Sequence, residues 1–395
     1  MTTAERFDFD IPVNRAGSDS GKWAKYAGRD VLPLWVADMD FTAPPAVLAV
    51  MHERIDHGVF GYNQPTSEQS QAVIDHLARW FDYAIEPAWI VWLPGLVSGL
   101  NVACRAVGEP GDAVFSATPI YPPFLSAPEF AGRHAVTVPL VREDNTWCWN
   151  WPAVDSVLAA SRAKLFELCH PHNPVGRAWS TDELLQIAAL AEKHDLIVCS
   201  DEIHNGLILS PSHQSHGDFL RSHRLFASLA PEVAARTITL MAPSKTFNIP
   251  GLGAAFAIIS DQGLRRRFCA AMNGIVPHVN ALGMVATEAA LTRCDDWHAA
   301  LIAYLQGNAR LVERTVAAIP QLSMTTIEAT YLAWIDATAL GLTHPAKHFE
   351  AHGLGLSEGA DFGAPGFVRL NFGTRRVLLD QAMERLAAAV SAAPA

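Results

Sequence analysis

The chain has 395 residues, enough for a large core and a second, smaller unit. Half of its residues are hydrophobic and 17% are charged, a globular composition that excludes a disordered chain. Forty acidic against 29 basic side chains give a formal charge of −11, which argues against nucleic acid and anionic membranes as main partners.

The first residues carry acids where a secretory signal would carry a basic end and an apolar stretch. No apolar run reaches the roughly 18 residues that a membrane helix needs. Six cysteines (Cys104, Cys148, Cys169, Cys199, Cys269, Cys294) are scattered without a C-x-x-C and read as free, mostly buried thiols. The expectation is a soluble, cytoplasmic enzyme. Ser67 opens an amphipathic stretch of helical period over 68–81. Short apolar strands are predicted at 113–116, 135–140, 164–169, 196–200, 237–241 and 254–259, with helices between them. The clearest helix is 181–194, with Ser180 or Thr181 as cap and Glu183 in the first turn. Near-continuous apolar strands alternating with helices imply an α/β fold whose mostly parallel sheet is covered on both faces. Trp147, Trp149 and Trp151 alternate as on one face of a strand and read as packing. After about Asn280 come long helices such as 297–318, strands at 331–336 and 367–371, and a final helix over 377–391. This predicts a large domain over 51–285 and a small C-terminal α/β domain over 286–395, joined by the N-terminal segment 1–50.

Polar residues cluster at the C-terminal ends of these strands, where open α/β sheets bind ligands. Gly95-Leu96-Val97 opens a helix whose free N–H groups suit a phosphate, although many such turns bind nothing. In His170-Pro171-His172-Asn173-Pro174-Val175-Gly176-Arg177, Asn173 is aimed at a ligand or bonds its own backbone turn. His170 and His172 alternate on an extended segment and point opposite ways, which argues against a metal; His213 and His216 sit on an expected loop. Asp201 ends a buried strand and either meets a cationic partner or caps a following helix. Lys245, after Ser244 at another strand end, is a surface lysine or a pocket lysine with a lowered pKa, able to form a Schiff base.

The order Asn-Pro-x-Gly-Arg, then Asp-Glu-x-His about thirty residues on, then Ser-Lys-Thr-Phe-Asn about forty further, resembles the pyridoxal-phosphate (PLP) enzymes of fold type I. The resemblance to the class I/II aminotransferase superfamily spans nearly the whole chain. Leu34-Trp35-Val36-Ala37-Asp38-Met39-Asp40-Phe41, Gly61-Tyr62, Thr118-Pro119-x-Tyr121-Pro122-Pro123-Phe124 and Phe367-Val368-Arg369-Leu370-Asn371-Phe372-Gly373 are similar to the MalY/PatB-type cystathionine β-lyases, or C–S lyases. The resemblance implies that Lys245 carries PLP, that Asp201 keeps the ring nitrogen protonated and that Tyr121 stacks on the ring. Asn173 would bond the phenolic oxygen, with His204 near it. Gly95, Leu96, Val97 and Ser244 would hold the phosphate, with Tyr62 reaching it from the neighbouring subunit of a homodimer. Arg369, assisted by Asn173, would clamp the substrate carboxylate; otherwise it is a buried structural ion pair. Ala37 would line the substrate entrance or serve core packing. One departure stands out: Gly253 occupies the place, eight after the lysine, where many aminotransferases have a basic residue.

The implied activity is β-elimination from L-cystathionine or related cysteine S-conjugates to a thiol, pyruvate and ammonia. The alternatives are an aminotransferase using the same residues and a metabolite-sensing regulatory protein on the same scaffold. The substrate is a small amino acid, and no nucleic acid or membrane partner is expected.

Overall fold

The computed structural model describes residues 7–210 and 223–393. Its main sheet contains β1 (Ile90–Leu93), β2 (Ala113–Thr118), β3 (His134–Pro139), β4 (Ala163–Cys169), β5 (Ile197–Asp201), β6 (Thr237–Met241) and β7 (Ala255–Ile258). They lie in the order β1-β7-β6-β5-β4-β2-β3. β7 runs antiparallel to both neighbours, and the other pairings are parallel. The inner strands β2, β4, β5, β6 and β7 read as apolar runs rather than alternations because both faces are covered. Leu165, Cys199, Ile238 and Leu240 join one core cluster, while their chain neighbours Phe166 and Val198 join another on the opposite face.

The helices flanking this sheet carry their own start signals. α1 (Pro45–His57) begins with proline. α2 (Ser67–Phe81) is capped by Thr66, one residue before the expected Ser67, because Gln69 at the third helical position completes a reciprocal pair of bonds with Thr66. α3 (Leu96–Ala106) starts directly after Gly95. α4 (Thr181–Lys193) is capped by Ser180, with Glu183 returning the bond. α5 (Gln262–Met272) and α3 cover one face of the sheet through residues such as Phe268 and Leu100.

The C-terminal part contains α6 (Ala281–Arg293), α7 (Asp295–Ala317) and α8 (Arg376–Ser391). Between α7 and α8 lies an antiparallel sheet of β8 (Leu332–Asp336), β9 (Ser357–Glu358) and β10 (Phe367–Asn371), in the order β8-β10-β9. The N-terminal chain joins this part: Leu32–Pro33 pairs in parallel with Leu354–Gly355, and the Asn371 amide donates to the Leu34 carbonyl at 2.8 Å. Residues 34–41 therefore run as a strap from the small sheet towards the end of the large one.

The three tryptophans differ from the expected single strand. Trp147 lies in the short strand Thr146–Cys148 and Trp151 starts the helix Trp151–Ala160. Asn150 caps that helix and breaks the alternation; Trp149 stacks on Trp151 at 5.6 Å and packs on Trp179. Their role as packing residues holds. Four of the six free cysteines are buried, and Cys269 is exposed. Among the described residues no helix is long and apolar enough to cross a membrane.

Candidate active site

A cavity of about 300 Å³ opens at the C-terminal ends of β4, β5 and β6, against α3, β10 and the strap. Ala37, Gly95, Leu96, Val97, Tyr121, Asn173, Asp201, His204, Ser244, Lys245 and Arg369 all line it. Tyr62 does not: its side chain is fully exposed on this chain. His213 and His216 lie outside the described residues.

Two cations face this cavity without a carboxylate partner among the described residues. Arg369 is buried on β10, where its guanidinium donates to Asn173 Oδ1 at 2.9 Å, the Trp35 carbonyl at 3.0 Å and Ser357 Oγ at 3.4 Å. It also lies over the Phe362 ring, and its Nε has no partner. The structural ion pair is thus ruled out among the described residues, and the guanidinium meets only neutral acceptors there. Burial lowers its pKa to about 10, with neighbouring tyrosines opposing. Because arginine only donates, the Asn173 atom facing it is the oxygen, which leaves the amide N–H groups as donors. Lys245 follows β6 on a turn, and its Nζ donates to the Ala37 carbonyl at 2.6 Å. Burial, then the Arg369 charge, lowers its pKa to about 8, while Asp38 and Asp201 oppose. An amine so placed is a usable nucleophile and base near neutral pH.

Asp201 ends β5 in full burial. No helix follows it; Oδ1 accepts from the Ile203 amide at 3.1 Å, so the helix-cap alternative gives way to a turn. Burial raises its pKa to about 7, with the like charge of Glu202 adding and Lys245 opposing. Such a group awaits a cationic partner. His204 is buried, its Nδ1 has no partner, and burial beside Lys245 and Arg369 holds its pKa down to about 3, so it is neutral. Tyr121 lines the cavity on the segment after β2, its amide anchored to the Asn173 carbonyl at 3.1 Å. A Cβ built on Gly95 meets nothing within 4 Å, so the start of α3 presents bare backbone to the cavity. Gly253 has φ +56°, and its Cβ position lies 3.3 Å from the Pro94 carbonyl; a basic side chain there would be strained.

Several contributors were invisible as site residues. Ser98 lines the cavity beside the glycine turn, and Ser357 supports Arg369 while donating to the Trp35 carbonyl at 2.6 Å. Asn371 donates to the Val36 and Asp38 carbonyls at 2.6 and 2.9 Å, pinning the strap on either side of Ala37. Asn371 belongs to the Arg-Leu-Asn-Phe-Gly motif, which was its one signal; Ser357 had none. Ala37 serves both alternatives, buried and lining the cavity.

His170, Glu202 and His223 come within metal-ligating distance of one another. Their bonding argues against an ion. His170 Nδ1 accepts from the Trp179 amide and its Nε2 faces the Arg224 carbonyl, so both ring nitrogens are engaged. Its ring lies tilted against that of His223 with centroids 4.2 Å apart, and Glu202 bonds His223, Ser200 and the Phe226 amide. His172 faces away to the Pro119 carbonyl at 2.8 Å, consistent with alternation.

The family model for aminotransferase class I and II matches residues 29–386. The chain belongs to that family. It is 36% identical to the cystathionine beta-lyase PatB of Bacillus subtilis over 97% of this chain and all of that one. A solved structure of OvoB is 44% identical, with TM-score 0.93, covering 98% of this chain and 100% of that one. Cystalysin from Treponema denticola, whose crystal structure contains a pyridoxal 5'-phosphate cofactor, is 32% identical with TM-score 0.91, covering 98% and 99%. PLP fits the donor set found here: a low-pKa lysine, a buried unpaired carboxylate, an unpartnered imidazole nitrogen and an open helix N-terminus surround one cavity.

Proposed function

We propose that the protein is a PLP-dependent carbon–sulfur β-lyase that cleaves L-cystathionine or a related cysteine S-conjugate to a thiol, pyruvate and ammonia. The observation that carries this reading is the pairing of two cations with no carboxylate partner among the described residues, buried Arg369 and half-buried Lys245, across one cavity from Asp201. Its C–S direction rests on the full-length likeness to a cystathionine beta-lyase.

When bound, PLP supplies an electron sink that makes the α-proton of an amino acid removable. Lys245 would carry the cofactor, and Asp201 would supply the carboxylate that keeps its ring nitrogen protonated. The start of α3 at Gly95, Leu96 and Val97, with Ser244, would bind the phosphate through N–H and hydroxyl donors. The Asn173 amide and His204 would serve the cofactor's phenolic oxygen, and Tyr121 would pack against the ring. Arg369 fixes the substrate carboxylate as a two-pronged donor, oriented by Asn173, Ser357 and the Trp35 carbonyl. Ala37 borders the substrate side chain. The Lys245 amine would take the α-proton; loss of the C–S bond with its electron pair on sulfur, and hydrolysis of the remaining three-carbon fragment, would give thiol, pyruvate and ammonia.

The active unit we propose is a homodimer, with Tyr62 contributed to the phosphate of the partner's site. Its full exposure, beside exposed Val59 and Phe60, supports that reading. The proposal includes a large domain over 51–285, a small domain over 286–395 joined by residues 1–50, and a cytoplasmic location.

The deciding experiment incubates the PLP-loaded protein with L-cystathionine and no keto acid, following pyruvate and free thiol together. Equal appearance of both is expected. Turnover only after a keto acid is added would move the protein to the aminotransferases, the reading favoured by the family model alone.

A further inference from the structure

We propose that Tyr331 is a positioning residue for Lys245, acting through the carbonyl of Ala37. The inference rests on the reading of Lys245 as the amine that carries the cofactor. The Ala37 carbonyl accepts two donors, Lys245 Nζ at 2.6 Å and the Tyr331 hydroxyl at 3.2 Å. Tyr331 is buried just before β8, and its own backbone is held on both sides. Its carbonyl accepts from the Phe372 amide, and the preceding Thr330 amide donates to Leu207. The ring stands edge-on to His204 at 6.3 Å, so the phenol is wedged between the cavity wall and the strap. Asn371 grips the carbonyls of Val36 and Asp38, which flank Ala37. The Ala37 carbonyl is therefore the strap acceptor that faces Lys245, and Tyr331 is the second donor, placed to aim it.

A carbonyl oxygen has two lone pairs. With the phenol on one, a single acceptor direction remains for the lysine. This orients the amine and limits how well the carbonyl can stabilise an ammonium. Removing the hydroxyl removes the competing donor, so the carbonyl becomes a stronger acceptor for the Lys245 ammonium, its charged form gains and the neutral amine becomes scarcer at a given pH. The other groups facing Lys245 are unchanged by that substitution. They are Arg369 from β10, Asp201 and His204 from the end of β5, Asp38 from the strap and Tyr121 after β2.

The test compares wild type with Tyr331→Phe, an isosteric change, and with Tyr331→Met should the phenylalanine variant not fold. Apoprotein is mixed with PLP from pH 6 to 10 and quenched with borohydride, and the reduced adduct on the Lys245 peptide is quantified by mass. The midpoint of capture should move up by about half a pH unit in the variant, the value of a fraction of one hydrogen bond, with the plateau unchanged. The acid limb of α-proton exchange from L-alanine in heavy water, catalysed by the holoenzyme, should move by the same amount. Superimposable profiles, or a downward shift, would overturn the positioning role. A wild type that captures no PLP on Lys245 would overturn the lysine assignment itself, and the inference with it.

Discussion

Lys22, buried, and Lys245, half-buried at the cavity, bond neighbouring carbonyls of the same strap, Asp38 and Ala37. Their surroundings otherwise differ completely. Lys22 also meets the Asp40 carboxylate at 2.8 Å, and Asp40 is shared with Arg15 and the Trp23 indole. Lys245 meets no carboxylate among the described residues. The same contrast separates Arg177, clamped between Glu183 and Glu328, from Arg369, which has only neutral acceptors. A buried charge is costly unless paired. Where the fold supplies the counter-charge, the group holds structure together; where it withholds it, a ligand must supply the charge or the group must go neutral.

Substitutions can break this contrast. The largest effect is expected at Lys245→Ala: turnover of L-cystathionine should fall at least about a thousandfold, because nucleophile and base are lost together. The absorption band of the lysine-bound cofactor should vanish with it; persistence of the band would remove Lys245 from its role. Next come the two arginines. Arg177→Met should destabilise the fold by about 3 kcal/mol, leaving Glu183 and Glu328 without their cation, while the KM of the refolded enzyme barely moves. Arg369→Met should do the reverse. Chemical denaturation should show little loss, since an unpaired buried charge is removed, while KM for amino acids rises about a hundredfold for the lost charge-assisted pair. Equal destabilisation of both variants would erase the distinction.

Glu167 sharpens the rule from another direction. It is fully buried in β4, outside the cavity, with Cys104 donating to Oε1 and no partner on Oε2. Burial raises its pKa to about 8, above the usual carboxylate value, so the folded protein keeps this proton at neutral pH. The unfolded chain releases it near its ordinary pKa. Glu167 therefore costs stability progressively as pH rises from about 4.5 to 8, at no more than about 1.4 kcal/mol per pH unit. Glu167→Leu should melt higher than wild type, with a gap that widens from pH 5 to 8 and is nearly flat above. A gap independent of pH would show that Glu167 keeps no proton on folding.

Six of the seven strands of the main sheet were legible because their information is local; β1 (Ile90–Leu93) was not read as a strand. Strand 237–241 stands where apolar continuity put it, and Ser180 with Glu183 caps α4 as their spacing required. The displaced start of α2 and the broken tryptophan alternation arose where a side chain three residues on, Gln69, or a capping Asn150 outweighed the periodic pattern. The motif residues Lys245, Asp201, Asn173 and Arg369 were also readable, each sitting at a strand end or within a strand whose pattern was clear. What no local pattern could carry is the pairing of the charges. Whether Arg369 meets a carboxylate depends on Asn173, 196 positions away, and on Trp35, 334 away. The acceptor shared by Lys245 and Tyr331 is a backbone carbonyl 208 and 294 residues distant from them. A carbonyl has no side-chain signature, so its function is created when the strap is laid between the two sheets. Residue identity placed the chemistry along the chain; the burial, the unpaired charges and the shared Ala37 carbonyl exist only because distant segments exclude water together.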